Sequence, residues 1–315
     1  MAENRHELLV IGFGTVGQGF FELLKNKKNA LGLENVKISE IADLKYGHIR
    51  NPASDLLDNL KKTENNVSVK DILKDSSCDI VCEFTWADYD TGGPAYDYIK
   101  SALALGKDVI TTNKAPIALH FDELTRFAGK QGVALRFKGT VMSGTPSFNI
   151  LTLLPGVNVT RFRAILNGTS NYILNEMTYG KSMNAALKEA QDKGYAEADT
   201  ANDLDGFDAA AKCLIVSKVL GWKHELSGIE TTGIRYATNE EAKAGMKLMA
   251  YADPKTAYVK PLKLKGDDIM RSVVGVANAI EFDTDTLGKI YSIGPGTGRL
   301  ETAQAALTDL VEIVS

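Results

Sequence analysis

A short apolar run over residues 7–11 leads directly into the glycine turn Gly12-Phe13-Gly14-Thr15-Val16-Gly17, and a helical pattern in Phe20, Leu23 and Leu24 follows. Strand and helix patterns then alternate to about residue 137 before the character of the chain changes. Together these features predict an α/β protein: a Rossmann-type nucleotide-binding domain with a doubly wound sheet, followed by a second, α+β domain.

The first strand, glycine turn and helix each have a physical rationale. Gly12 permits the tight turn, Gly14 lets backbone approach a pyrophosphate, and Gly17 lets the helix pack close to the strand. Free N–H groups at the helix start then face the phosphates. A second strand, 36–42, ends at Asp43, where an acid takes the adenosine ribose hydroxyls and favours NAD. Lys45 and Arg50 follow closely and suit a 2′-phosphate, so NADP stays open. Strands at 79–85, 108–112 and 133–137 and helices at 93–105 and 121–130 complete the sheet. Ligands bind at the carboxyl ends of such strands, which places Thr85, Trp86 and Lys114 at the nicotinamide end. The alternative for Lys114 is a capping lysine near a loop.

After residue 146 the sequence predicts a helix to about 154, a strand over 160–166, and a helix led in by the hydroxyl and amide residues of 167–174. A helix at 183–192 and strand-like segments at 256–264 and 272–282 follow. The glycine turn Gly294-Pro295-Gly296-Thr297-Gly298 introduces a helix over 302–311, which is expected to return to the nucleotide domain. The expected domains are therefore 1–140 completed by 294–315, and 141–293.

Within the second domain, residues 194–212 gather carboxylates ahead of one lysine. Helical spacing from Leu204 puts Asp205, Asp208 and Lys212 on one face, with Asp208 and Lys212 a turn apart. Glu197, Asp199 and Asp203 precede them without an alternating partner charge, which suits a pocket for a cationic substrate group. The plainer alternative is a surface i,i+4 pair worth a few tenths of a kcal/mol. The apolar helix that follows favours burial, so this stretch reads as the catalytic centre.

Composition narrows the function classes. At 24% charged, 44% hydrophobic and a net charge of −4, the 315 residues describe a soluble globular protein with no basic surface for nucleic acid or anionic lipid. Neither a signal peptide nor a membrane span is legible, so a cytoplasmic location is expected. Cys78, Cys82 and Cys213 read as buried thiols, and the four scattered histidines show no zinc spacing.

With these pieces placed, the chain resembles homoserine dehydrogenase through GFGTVG at 12–17, TTNKAP at 111–116, NGTSNYIL at 167–174, GYAEADTANDLDGFDAAAK at 194–212 and GPGTGRLETAQAALTDL at 294–310. The resemblance implies reversible NAD(P)-dependent reduction of L-aspartate 4-semialdehyde to L-homoserine, on the route to threonine, methionine and isoleucine. It also implies a homodimer built through the second domain's sheet. By motif position, Lys212 is the proton donor, Lys114 assists proton transfer and substrate binding, and Glu197, Asp203 and Asp208 hold or orient the substrate. Gly194, Gly294 and Gly296 match cofactor- or site-lining glycines.

One position departs from the family's pattern. Where relatives commonly carry a glutamate that helps bind a monovalent cation, this chain has Lys138. Its ammonium either replaces the cation's charge or points to solvent, and no metal or sodium or potassium requirement is expected. No regulatory extension or fused kinase is expected either. Two rival readings remain: another two-domain NAD(P) oxidoreductase of a small aldehyde or hydroxy acid, and a non-catalytic dinucleotide sensor.

Overall fold

The computed structural model describes residues 5–63, 67–196 and 200–315. Two compact units are present, residues 1–144 with 298–315, and residues 145–297. The first contains β1 (His6–Ile11), α1 (Thr15–Lys27), β2 (Val36–Asp43), β3 (Gly47–Arg50), α2 (Val69–Asp75), β4 (Ile80–Glu83), α3 (Gly93–Ala104), β5 (Asp108–Thr111), α4 (Lys114–Gln131) and β6 (Leu135–Arg136). The second contains β7 (Val159–Ile165), α5 (Gly168–Thr178), α6 (Met183–Asp192), α7 (Ala201–Leu204), α8 (Phe207–Val219), β8 (Glu230–Thr231), α9 (Asn239–Lys243), β9 (Met246–Ala252), β10 (Ala257–Lys263), β11 (Ala277–Thr284) and β12 (Gly288–Pro295). The chain ends as α10 (Arg299–Val314), back in the first unit.

In the first unit the strands lie in the order β3-β2-β1-β4-β5-β6, as the predicted doubly wound sheet requires. Every pairing is parallel except that of the edge strand β3 with β2. Leu8, Val10, Ile41, Ile80 and Ile110 from the sheet meet Phe20 and Leu24 of α1 and Ala303, Leu307 and Leu310 of α10 in one core. Gly19 makes the α1–α10 contact possible, since a Cβ there would lie 2.7 Å from the Arg299 carbonyl oxygen.

The second unit is built on a sheet of order β12-β11-β7-β9-β10-β8, antiparallel except at β10–β8. Helices α5 and α8 pack against it. From Asp208 to Lys218 every residue of α8 is buried, so the apolar helix is packed as its sequence predicts. Strands β9 and β12 were not legible. The run MKLMAYA of β9 is apolar except for Lys247 and lacks strict alternation, so it suits a helix equally well, and β12 is mixed in polarity and partly exposed. The expected helix before residue 154 is a 3₁₀ segment, Phe148–Leu153, and α4 starts at Lys114 with a kink at His120.

Lys138 does not point to solvent. Its Nζ lies 3.0 Å from Asp309 Oδ1 and also bonds Glu312, and its backbone N–H donates to Asp309 Oδ2. Burial pushes the Asp309 carboxyl up to about 6, against the pull of the Lys138 charge. Since that value lies above the ordinary 3.8, ionising Asp309 withdraws stability as pH climbs through this window. The ammonium offsets that cost. Lys138→Met is therefore expected to destabilise the protein by about 3–5 kcal/mol at about pH 8, with a smaller deficit at about pH 5, where Asp309 takes up a proton. Urea unfolding at both pH values checks this; an equal deficit would contradict it.

Candidate active site

The carboxyl ends of β1, β2 and β4 surround a cleft of about 490 Å³ in the first unit. Gly12 has φ +85°, and a Cβ there would sit 2.7 Å from the Phe84 carbonyl oxygen, so the turn and the end of β4 touch directly. Gly17 lies as closely on Gly12, with a Cβ 2.3 Å from its carbonyl oxygen. Gly14 differs: a Cβ there would meet nothing within 4 Å, which leaves its backbone open to the cleft. This is the space a pyrophosphate needs at the start of α1.

Other members of the motif contribute indirectly. Thr15 lines the cleft, but the Phe13 side chain is fully buried and Val16 packs on the core, so these two serve through backbone and packing. The Phe13 N–H donates to Asp43 Oδ2 at 2.7 Å, while Asp43 Oδ1 accepts from the N–H groups of Lys45 and Tyr46. Asp43 thus joins the glycine turn to the β2–β3 loop as well as lining the cleft. Lys45 also lines it. Arg50 is not among the lining residues and lies 3.9 Å from Glu40. Arg299, which sequence reasoning missed, lines the cleft and pairs with Glu22 at 2.7 Å. The return of α10 to this unit was expected from the sequence, but not which of its residues would reach the cleft.

Thr85 and Trp86 lie on the cleft wall. Lys114 is the first residue of α4, just after Asn113, whose side-chain oxygen caps the helix by accepting from the Ala115 N–H. A helix gains nothing from a cation at its positive end. Lys114 is not among the residues that line the cleft.

In the second unit, Lys212 and Asp208 are both buried and paired at 2.7 Å. Lys212 Nζ also donates to the Leu166 carbonyl oxygen at 2.7 Å, at the end of β7. The amide of Asn167 donates to Asp203 Oδ1 at 2.6 Å and to Asp208 Oδ2 at 2.9 Å, gathering both carboxylates beside the lysine. The same side chain caps α5 by accepting from the Ser170 N–H. The sequence reads Asn167 as a helix cap; its hold on the two aspartates needs the fold to bring residues 203 and 208 to it.

Asp205 does not share this face. Gly206, with φ +87°, ends α7 and begins α8, so the helical register from Leu204 is broken. Asp205 turns away and forms a two-bonded pair with Arg235, at 2.7 Å for each bond. Glu197 and Asp199 lie outside the described residues. Gly194 has φ +73° after α6, and Thr169 bonds the neighbouring Tyr195 carbonyl. Gly294 and Gly296 are sites of close approach: a Cβ would fall 2.5 Å from Thr145 Oγ1 and 2.1 Å from the Asn278 amide carbon, respectively. Among the described residues, no group of three or more histidine, cysteine or acidic side chains could hold a metal ion.

A doubly wound nucleotide-binding unit, with an open glycine turn and a buried lysine–carboxylate cluster in its companion, defines an NAD(P)-dependent oxidoreductase. The family profile described as homoserine dehydrogenase matches residues 146–311, and that of the homoserine dehydrogenase NAD-binding domain matches residues 12–138. The chain belongs to the homoserine dehydrogenase family. It is 40% identical to homoserine dehydrogenase of Sulfurisphaera tokodaii, over 97% of each chain. It is 33% identical to the NAD(+)-dependent homoserine dehydrogenase of Pseudomonas canavaninivorans, over 98% of this chain and 96% of that one. It also resembles the solved structure of a hyperthermophilic archaeal homoserine dehydrogenase in complex with NADPH, with a TM-score of 0.86, 30% identity and 98% of each chain covered.

The double use of Asn167 can be separated experimentally. Asn167→Ala is expected to lose about 1 kcal/mol of stability with the cap and also to weaken substrate binding. Asn167→Ser keeps a capping oxygen but cannot tether both aspartates, so it should recover stability while KM for homoserine stays raised. Thermal melts and steady-state kinetics on both variants test this; recovery of both properties in the serine variant would refute the tether.

Proposed function

We propose that the chain reduces L-aspartate 4-semialdehyde reversibly to L-homoserine, with Lys212 as the proton donor. The observation that carries this reading is the buried Lys212 ammonium held between Asp208 and the Leu166 carbonyl, beside Asp203. Aldehyde reduction needs a hydride at carbon and a proton at oxygen. NAD(P)H, when bound, supplies the hydride. Lys212 stabilises the charge growing on the carbonyl oxygen and hands over its proton. Asp203 and Asp208, with Glu197, hold the ammonium group of the substrate, and Lys114 assists proton transfer. In the reverse direction an uncharged lysine takes the proton from the homoserine hydroxyl.

The lining of the cleft supports either dinucleotide. The Asp43 charge at the end of β2 opposes a 2′-phosphate and favours NAD, while Lys45 and Arg299, which also line the cleft, support NADP as an alternative. A dinucleotide sensor would have no use for the buried Lys212–Asp208 pair.

The direct test follows the absorbance of the reduced nicotinamide with homoserine, offering NAD and NADP separately in sodium and in potassium salts. Homoserine-dependent reduction is expected with both, NAD being preferred, and with no dependence on which salt is present. Lys212→Ala should lower turnover by a factor on the order of a hundred or more while cofactor affinity is unchanged. Equal loss of both would remove Lys212 from the chemistry, and no reduction with either cofactor would overturn the assignment.

The protein is further proposed to act in the cytoplasm as a homodimer. Among the described residues no helix is long and apolar enough to cross a membrane. The face of the second sheet that bears Arg161, Arg163 and Tyr251 is exposed or partly exposed and is proposed to meet a second copy. Light scattering of the purified protein should give twice the chain mass, and cell fractionation should recover it with the soluble contents. A monomer, or recovery with membranes, would refute the respective statement.

A further inference from the structure

Glu83, the last residue of β4, belongs to none of the motifs above, yet it is fully buried where an aliphatic residue would satisfy the sheet. A carboxylate in such a place is expensive unless its oxygens are bonded. Its hydrogen-bond donors Thr85 and Thr111 are neutral; Thr85 follows β4 on the cleft wall, and Thr111 ends β5. Oε1 accepts from the Thr85 N–H at 2.7 Å and from the Thr85 hydroxyl, and Oε2 accepts from the Thr111 hydroxyl at 2.8 Å. The circuit continues beyond them. Thr111 Oγ1 accepts from the Asn113 N–H at 3.0 Å, and the Asn113 amide donates to the carbonyls of Thr85 and Trp86 at 3.2 and 2.8 Å. Asn113 Oδ1 then caps the helix that begins with Lys114. Burial raises the Glu83 carboxyl above its ordinary range, while the bonds from Thr85 and Thr111 pull it back.

We propose that Glu83 is a positioning residue, which fixes the Thr85–Trp86 wall of the cleft and, through Thr111 and Asn113, the point from which Lys114 reaches the reacting atoms. The proposal rests on the role given to Lys114 above. One carboxylate has enough acceptor sites to hold Thr85 twice and Thr111 once. Glutamine does not reproduce this, because the atom facing Thr111 becomes a donor and the threonine hydrogen loses its acceptor. A shift of the α4 start by a fraction of an ångström would carry Lys114 with it, and misplacement on the scale of 1 Å costs up to about a hundredfold in rate.

The test uses the full chain with the variants Glu83→Gln, Thr111→Val, Thr111→Ser, Lys114→Ala and the double variant Glu83→Gln/Lys114→Ala. Homoserine-dependent turnover and thermal midpoints are measured for each. Glu83→Gln and Thr111→Val are expected to lower kcat about tenfold or more, with Thr111→Ser restoring most of it through its hydroxyl. In the Lys114→Ala background, Glu83→Gln should cost less than about twofold more, because its effect runs through the lysine. The same fold-loss with and without Lys114 would overturn the positioning role and leave that of Lys114 standing. A kinetically silent Lys114→Ala would sink the lysine's role, and with it the route assigned to Glu83. Should Glu83→Gln fail to fold, the Thr111 pair decides the matter: equal kcat in the valine and serine variants overturns the proposal.

Discussion

A buried ammonium is costly, and the second unit is arranged around making it tolerable. Lys212 lies inside a helix that is packed on all sides, so its charge must be met from within the protein. Asp208 meets it one turn earlier on α8, and the Leu166 carbonyl meets it from the end of β7. Those two contacts fix the helix against the sheet. Asn167, next in sequence to Leu166, then ties Asp203 and Asp208 together while capping α5. A single charged group thereby sets the positions of a strand end, two helices and two carboxylates. If Lys212 left, Asp208 would remain as a buried uncompensated charge at a cost of about 3–5 kcal/mol. In the proposed reaction, stability and chemistry draw on the same pair.

The first unit solves a different problem, that of exposing backbone without leaving it disordered. The glycine turn can offer Gly14 to a phosphate because Gly12 and Gly17 are pressed against Phe84 and against each other. Asp43 adds a second restraint by accepting from Phe13 N–H on one side and from the β2–β3 loop on the other. Glu83 does the same for the ends of β4 and β5. Carboxylates at strand ends therefore serve as fasteners of loop backbone. The three thiols, Cys78, Cys82 and Cys213, are all free and buried; burial pushes Cys213 up to about 12, far from reactive ionisation at neutral pH.

Much of the parallel sheet was legible because its strands are short apolar runs closed by glycine or threonine and separated by helical periodicity. The glycine turn was legible residue by residue, since each of its three glycines answers a separate steric demand. The pair Asp208–Lys212 was legible from i,i+4 spacing within one helix. Asp205 was not, because a glycine with left-handed backbone resets the helical phase and spacing alone cannot reveal it. Strand β9 escaped notice because a heptad apolar at every position but Lys247 carries no clear period of two, and β12 because a partly exposed strand carries little hydrophobic signal.

The sequence by itself determined the elements whose causes are local: the glycine turn, the helix entered through Asn167, and the lysine one turn after an aspartate. It also carried the family's motifs in order from one end to the other, and with them the chemistry to be expected. Only the tertiary structure decided which distant residues share a site. Arg299 joins the nucleotide cleft across nearly the whole length of the chain, Lys138 finds Asp309 and Glu312 on the last helix, and Glu83 becomes the link between two loops. The physical reason is that spacing fixes neighbours only within an element, whereas contacts between elements follow from how their buried faces pack.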